Sequence, residues 1–188
     1  RAEGAIIVEP TELIVAPAQA GALNFRLTVP GLAAHGCMRQ EGVSAVEAFL
    51  PVHRALLALE QERNQGVRDP LFAGYALPYP ICVGTVQAGT WASSVPESLC
   101  CEGRYGVALG ESVDEARRCF EQAIAAAAQR DAWLRAHPPL VEWWGGQFDS
   151  ARVAVDHPIV QTVQGAYTEL VGAAPQVHGV TYGADMRL

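Results

Sequence analysis

What most constrains this chain is the order in which its hydrophobic period changes between residues 20 and 148. Residues 21–29 alternate, with Leu23, Phe25, Leu27 and Val29 on one side and Asn24, Arg26 and Thr28 on the other. Such alternation marks a strand buried on one face. Pro30-Gly31 ends it, and a loop carries Ala33-Ala34-His35-Gly36. From Val43 to about Arg63 the apolar positions, including Val46, Leu50 and Leu57, follow a helical period. Pro51 falls inside this stretch. An interior proline costs a helix roughly 3 kcal/mol or more, which predicts a kink or break near residues 47–51. Residues 64–80 are rich in Pro and Gly and read as a loop.

Two strand-like runs follow, 81–89 and 97–107. In the second, Leu99, Cys101, Tyr105 and Val107 share one face, while Glu102 and Arg104 take the other. Ser112-Val113-Asp114-Glu115 then has the form of a capping box. Ala116, Cys119, Phe120, Ala123, Ile124 and Ala127 continue as one apolar helical stripe. Pro138-Pro139 precedes a last strand, 140–144, in which the neighbours Trp143 and Trp144 must face opposite ways. The order is β-α-β-β-α-β. It predicts an α+β fold, a ferredoxin-like two-layer sandwich with two helices on one face of an antiparallel sheet.

The flanks read differently. Ala5-Ile6-Ile7-Val8 is a continuous apolar run of the kind found in buried parallel strands. Asp156-His157-Pro158 predicts a helix start, Ile159, Val163, Ala166, Tyr167 and Leu170 its stripe, and Gly172 its C-terminal cap. The chain opens without methionine and reaches a strand-like run at once, which predicts a piece cut from something longer.

Charge narrows the partners. The formal net charge is −7, and all 13 basic residues are arginines, scattered except for Arg117-Arg118. No phosphate-tracking stripe exists, so nucleic acid is excluded as an expected partner. No apolar run approaches the ~20 residues of a membrane span. Five cysteines without CxxC or Cys/His zinc spacing point to reduced thiols and a cytoplasmic setting. His53, His137, His157 and His178 lack ligand spacing and are expected to cap or pack.

Four ordered segments resemble the zinc aminoacylase/carboxypeptidase family, which includes acetylornithine deacetylase and succinyl-diaminopimelate desuccinylase. They are Ile7-Val8-Glu9-Pro10-Thr11; Gly31 to Gly36 followed by Glu41-Gly42-Val43-Ser44-Ala45; Ala88-Gly89-Thr90 through Val95-Pro96; and Tyr182-Gly183-Ala184-Asp185-Met186-Arg187. The resemblance implies a dimerisation (lid) domain at 20–148, inserted between catalytic-domain segments at 1–19 and 149–188. It also implies a cytoplasmic homodimer hydrolysing an amide of an N-acyl amino acid or dipeptide-like substrate. Two divalent metal ions, zinc or else cobalt or manganese, would lower the pKa of a bound water. By the same resemblance Glu9 is a metal ligand, and His35 holds the substrate carbonyl oxygen in the partner's site. Arg104 looks like the family's carboxylate-binding arginine, and a salt bridge to Glu102 or a neighbouring strand is the competing reading. Asp185 and Gly183 sit in a loop that shapes the substrate pocket, or that Asp185 and Arg187 merely hold by mutual hydrogen bonds. Ser93 stands where many relatives carry Asn, and Gly183 where some desuccinylases carry a hydroxyl residue. Most metal ligands are missing, so the 188-residue chain alone is expected to be inactive. A different class stays open on the fold alone: a free-standing ferredoxin-like regulatory module binding a small metabolite.

Overall fold

The computed structural model describes residues 4–187, with the Arg187 side chain outside the description. Strand β1 (Val15–Gln19) leads directly into β2 (Gly21–Pro30), the half-buried strand expected from the alternation. Leu23, Phe25, Leu27 and Val29 are fully buried, and Asn24, Arg26 and Thr28 between them are half-buried.

Helix α1 (Ala45–Asn64) is capped by Ser44, whose Oγ accepts from the Glu47 N–H at 3.4 Å. Pro51 lies inside it without breaking it, so of the kink or break expected there the break does not occur. The energy balance explains why. Phe49, Val52, Leu56 and Leu59 are all buried, and each large buried side chain contributes about 1.5–3 kcal/mol. Together they outweigh the ~3 kcal/mol that one proline costs.

Next come β3 (Ile81–Ala88), β4 (Ser98–Val107), α2 (Val113–Ala128), the short α3 (Ala132–Ala136) and β5 (Leu140–Phe148). The Ser112/Glu115 capping box forms as expected. The four strands make an antiparallel sheet in the order β3-β4-β2-β5, with β2 and β4 in unbroken register from Gly21↔Val107 to Pro30↔Ser98. α1 and α2 share one core with a single face of this sheet. Arg117 and Glu121 of α2 reach Gln147 and Trp143 of β5, so α2 lies over β5, while α1 packs towards β3. Trp143 joins this core and Trp144 lies on the opposite face, beneath the Arg26 guanidinium. All five cysteines are free, and burial pushes the Cys101 thiol up to about 12. That thiol stays protonated and unreactive near neutrality.

A second, three-stranded sheet uses both flanks. β6 (Ala151–Arg152) pairs antiparallel with β1, and β7 (Val177–Val180) pairs parallel with its other edge. Helix α4 (Pro158–Val171) lies between β6 and β7 in sequence. The segment 65–80 straps onto this sheet. Phe72 and Leu71 join Ala18, Ala20 and Tyr79 in a small core, the Tyr75 hydroxyl donates to the Gly179 carbonyl at 3.0 Å, and Arg152 pairs with Asp69.

Two expectations on the flanks need correction. Residues 5–8 form no strand, and Ile6, Ile7 and Val8 are exposed; the first strand begins at Val15. A buried strand needs a partner to take its backbone hydrogen bonds, and among the described residues 5–8 meet none, the place between β6 and β7 being held by β1. In α4 the cap is His157, which accepts from the Ile159 N–H at 3.3 Å, and Gly172 ends the helix at φ 78° as expected. Its expected stripe is not buried, however. Val160 is the buried residue and Leu170 is 88% exposed, because nothing among the described residues covers that face. Among the described residues no helix is long and apolar enough to cross a membrane.

Candidate functional site

The histidine loop is built by backbone pairing between segments 31–43 and 89–97. Leu32 and Val43 exchange hydrogen bonds of 2.8 and 2.9 Å, and the Gly31 N–H donates to the Glu97 carbonyl at 2.7 Å. A Cβ on Gly31 would stand 2.4 Å from the Val43 carbonyl oxygen, so only glycine permits this approach. The Val95 N–H donates to the Ala34 carbonyl at 2.8 Å and the Gly36 N–H to the Ser93 carbonyl at 2.7 Å. His35 and Ser93 are thereby brought together at the rim of the four-stranded sheet, both exposed.

The His35 ring has defined neighbours. Its Nδ1 accepts from the Cys37 backbone N–H at 3.2 Å and lies 2.9 Å from the Cys37 Sγ, while Trp91 packs edge-on at 5.6 Å. With Nδ1 acting as acceptor, the neutral ring carries its proton on Nε2, where it can donate to an oxygen. No carboxylate orients this ring among the described residues, so a Cys37/His35 nucleophile lacks the third group such chemistry uses.

Arg104 occupies a second place. It sits on the helix-free face of β4, between Asn24 of β2 and Cys82 of β3. Its guanidinium donates to the Thr181 carbonyl, in the loop after β7. Burial lowers its pKa, yet no carboxylate pairs with it among the described residues. Glu102 is committed to Arg26, at 2.9 Å, which removes the Arg104–Glu102 salt bridge from consideration. A partly desolvated guanidinium bonded, among the described residues, to a carbonyl and not to a carboxylate is well placed to take an incoming carboxylate.

The loop facing Arg104 contains the other expected residues. Gly183 is pressed against Phe148, where a Cβ would lie 2.4 Å from the Phe148 Cβ. The Tyr182 phenol is pushed up by burial first and then by the charge of Glu9, which places Glu9 in electrostatic reach of this loop. Glu9 itself is exposed, as is Asp185 at the start of a 3-10 turn. The expected Asp185–Arg187 pairing involves a side chain outside the described set.

Three of the four remaining histidines cap or pack, His53 against Phe49, His137 stacked on Trp133 at 3.7 Å and His157 at the α4 cap, and His178 lies half-buried in β7. Among the described residues no three His, Cys, Asp or Glu side chains gather to hold a metal ion. Glu9 belongs to no such cluster, so the described residues do not by themselves fit a metal pair. Sequence reasoning missed Trp91, Tyr182 and Gln19. Only Gln19 carried a signal, a lone amide amid the small apolar residues Ala16, Pro17, Ala18, Ala20 and Ala22.

Residues 18–132 match the sequence family described as the peptidase dimerisation domain. That span is more than half of the chain, and the chain belongs to this family. Among its relatives, acetylornithine deacetylase of Klebsiella pneumoniae is 25% identical over 183 residues, covering 91% of this chain and 44% of that protein. A probable carboxypeptidase of Aspergillus clavatus is 30% identical over 142 residues, or 71% of this chain and 31% of that one. The fold matches a di-peptidase of Saccharomyces cerevisiae with a TM-score of 0.65 at 8% identity, covering 91% of this chain and 45% of that one. It also matches a hydantoinase/carbamoylase family amidase of Burkholderia ambifaria, with a TM-score of 0.61 at 13% identity, over 90% of this chain and 37% of that one. The chain thus spans less than half the length of the curated relatives it matches.

Proposed function

We propose that residues 20–148 are the lid of a metal-dependent amide hydrolase, with 1–19 and 149–188 as edges of its catalytic domain. The substrate is an N-acyl amino acid or a dipeptide-like molecule. The observation that carries this reading is Arg104, a half-buried cation that no carboxylate pairs with among the described residues, facing the loop that holds Gly183. The free carboxylate of an amino-acid substrate is the group it would take. The relatives named as deacetylase and carboxypeptidase support the same chemistry. A second sheet built from both flanks favours this reading over a free-standing regulatory module.

Two divalent ions, zinc or else cobalt or manganese, would supply an activated water in the complete protein. Glu9 is this chain's contribution to holding them. His35 would donate Nε2–H to the carbonyl oxygen undergoing attack. Arg104 pairs with Asn24 near one end of β2, whereas His35 follows the other end, beyond Pro30. Six residues of strand span roughly 20 Å at ~3.4 Å each. That separation supports His35 serving the site of a second copy. The complete protein is expected to hydrolyse N-acetylornithine or a dipeptide in a chelator-sensitive way, with no turnover by the 188-residue chain alone. Metal-independent turnover, or activity in the isolated chain, is the contrary result.

The surface for a second copy is the β3 edge beside α1. Val86 is 52% exposed on the sheet face that carries the helices, since its partner Cys101 is buried there. Val46, Leu50 and Leu57 are exposed on α1 alongside. Pairing two β3 edges would close an otherwise open strand. Light scattering is expected to show a dimer, and Leu50→Glu with Val86→Lys is expected to weaken it at least about tenfold. A wild-type monomer at high micromolar concentration would count against this.

A further inference from the structure

We infer that Gln19 is a positioning residue, whose carboxamide fixes the 181–185 loop to the junction between the two sheets. Gln19 is 1% exposed, the one buried polar or charged residue among those described. It makes a reciprocal pair with Ala184: Oε1 accepts from the Ala184 N–H at 3.2 Å, and Nε2 donates to the Ala184 carbonyl at 2.8 Å. The second amide hydrogen goes to the Asp149 carbonyl at 3.2 Å. A carboxamide making both bonds to one residue imitates a strand neighbour, and here it extends pairing one step beyond β7, whose Val180 already accepts from the Ala20 N–H.

The location gives this a consequence. The backbone passes between the two sheets twice, at Gln19–Gly21 and at Phe148–Ala151. These crossings lie side by side, since a Cβ on Gly21 would meet the Phe148 carbonyl at 2.4 Å and the Ser150 nitrogen at 2.8 Å. Gln19 therefore ties one crossing to the other and both to the loop, three points separated by 130 and 165 residues of sequence. The same loop is held from the four-stranded sheet by Arg104 through Thr181. Gln19 sets the height of Gly183 over Arg104, and hence the space left for a substrate. That last step rests on the function proposed above, whereas the clasp itself does not.

Hydrogen exchange on the 188-residue chain tests the clasp without any activity. Gln19→Met keeps the shape of the side chain and removes all three hydrogen bonds. It is expected to speed exchange of the Ala184 amide by about tenfold or more, with β2 and β4 amides changing less than about twofold. Gln19→Glu keeps an oxygen for the Ala184 N–H but turns its other oxygen towards the Ala184 and Asp149 carbonyls, and is expected to speed Ala184 exchange at least as much as Gln19→Met. An unchanged Ala184 amide in Gln19→Met, or equal acceleration throughout the four-stranded sheet in both variants, overturns the proposal. In the complete protein Gln19→Met is expected to raise KM for N-acetylornithine more than it lowers kcat. A wild-type protein inactive on every N-acyl amino acid would refute the proposed function and leave the exchange result to judge the clasp.

Discussion

Replacing His35 with alanine in the complete protein is expected to lower kcat about 10²–10³-fold, the usual loss when one donor to a developing oxyanion is removed. The effect follows from what the ring can offer. Nδ1 is taken up as an acceptor by the Cys37 N–H, so the neutral imidazole presents a single donor, Nε2–H. A donor that acts mainly in the transition state lowers kcat and kcat/KM together and leaves KM nearly alone. Folding should be spared, because His35 is exposed and the loop is held by backbone pairs from Gly31, Leu32, Gly36, Val43 and Val95. Steady-state kinetics with N-acetylornithine, beside thermal melts of both proteins, separate the two effects. Full activity in the variant, or a loss confined to KM, would remove His35 from the chemistry.

Phe120→Ala is expected to cost about 3–5 kcal/mol of folding stability, the range for truncating a buried aromatic ring. Phe120 has no exposed surface and stands at the centre of an aromatic cluster. Its ring centroid lies 4.6 Å from Phe25, 5.2 Å from Trp143 and 5.4 Å edge-on to Tyr105, joining α2 to β2, β5 and β4 at once. No neighbour can easily move in. Phe25 is hemmed by the β4 backbone, where a Cβ on Gly103 would lie 2.4 Å from its Cζ. A domain of ordinary stability has about 5–15 kcal/mol in total, so the variant should be close to unfolding. Urea denaturation of the 188-residue chain measures this directly. A loss below about 1.5 kcal/mol would mean that the cluster repacks.

Both predictions draw on features that differed in how plainly the sequence displayed them. The alternation at 21–29, the capping box at Ser112 and the stripe through Phe120 each encode a local period, and each formed as expected. The helix runs unbroken through Pro51 because the proline's cost is local whereas its compensation, burial of Phe49, Val52, Leu56 and Leu59, comes from α2 and the sheet. The run Ala5-Ile6-Ile7-Val8 is the reverse case. Apolar composition permits a buried strand, but only neighbours make one, and β1 takes that place between β6 and β7.

The sequence by itself determined the βαββαβ order, the face each side chain of β2 and β4 presents, and the glycine-bearing turn that carries His35. Periodicity and turn chemistry depend on residues within one or two turns of each other, so a linear reading captures them. Tertiary structure alone decided that Glu102 pairs with Arg26 and leaves Arg104 to the Thr181 carbonyl, and that a glutamine at 19 holds residue 184. Those outcomes turn on which segments meet across the gap between the two sheets. Packing of the whole chain sets that meeting, and no local pattern records it.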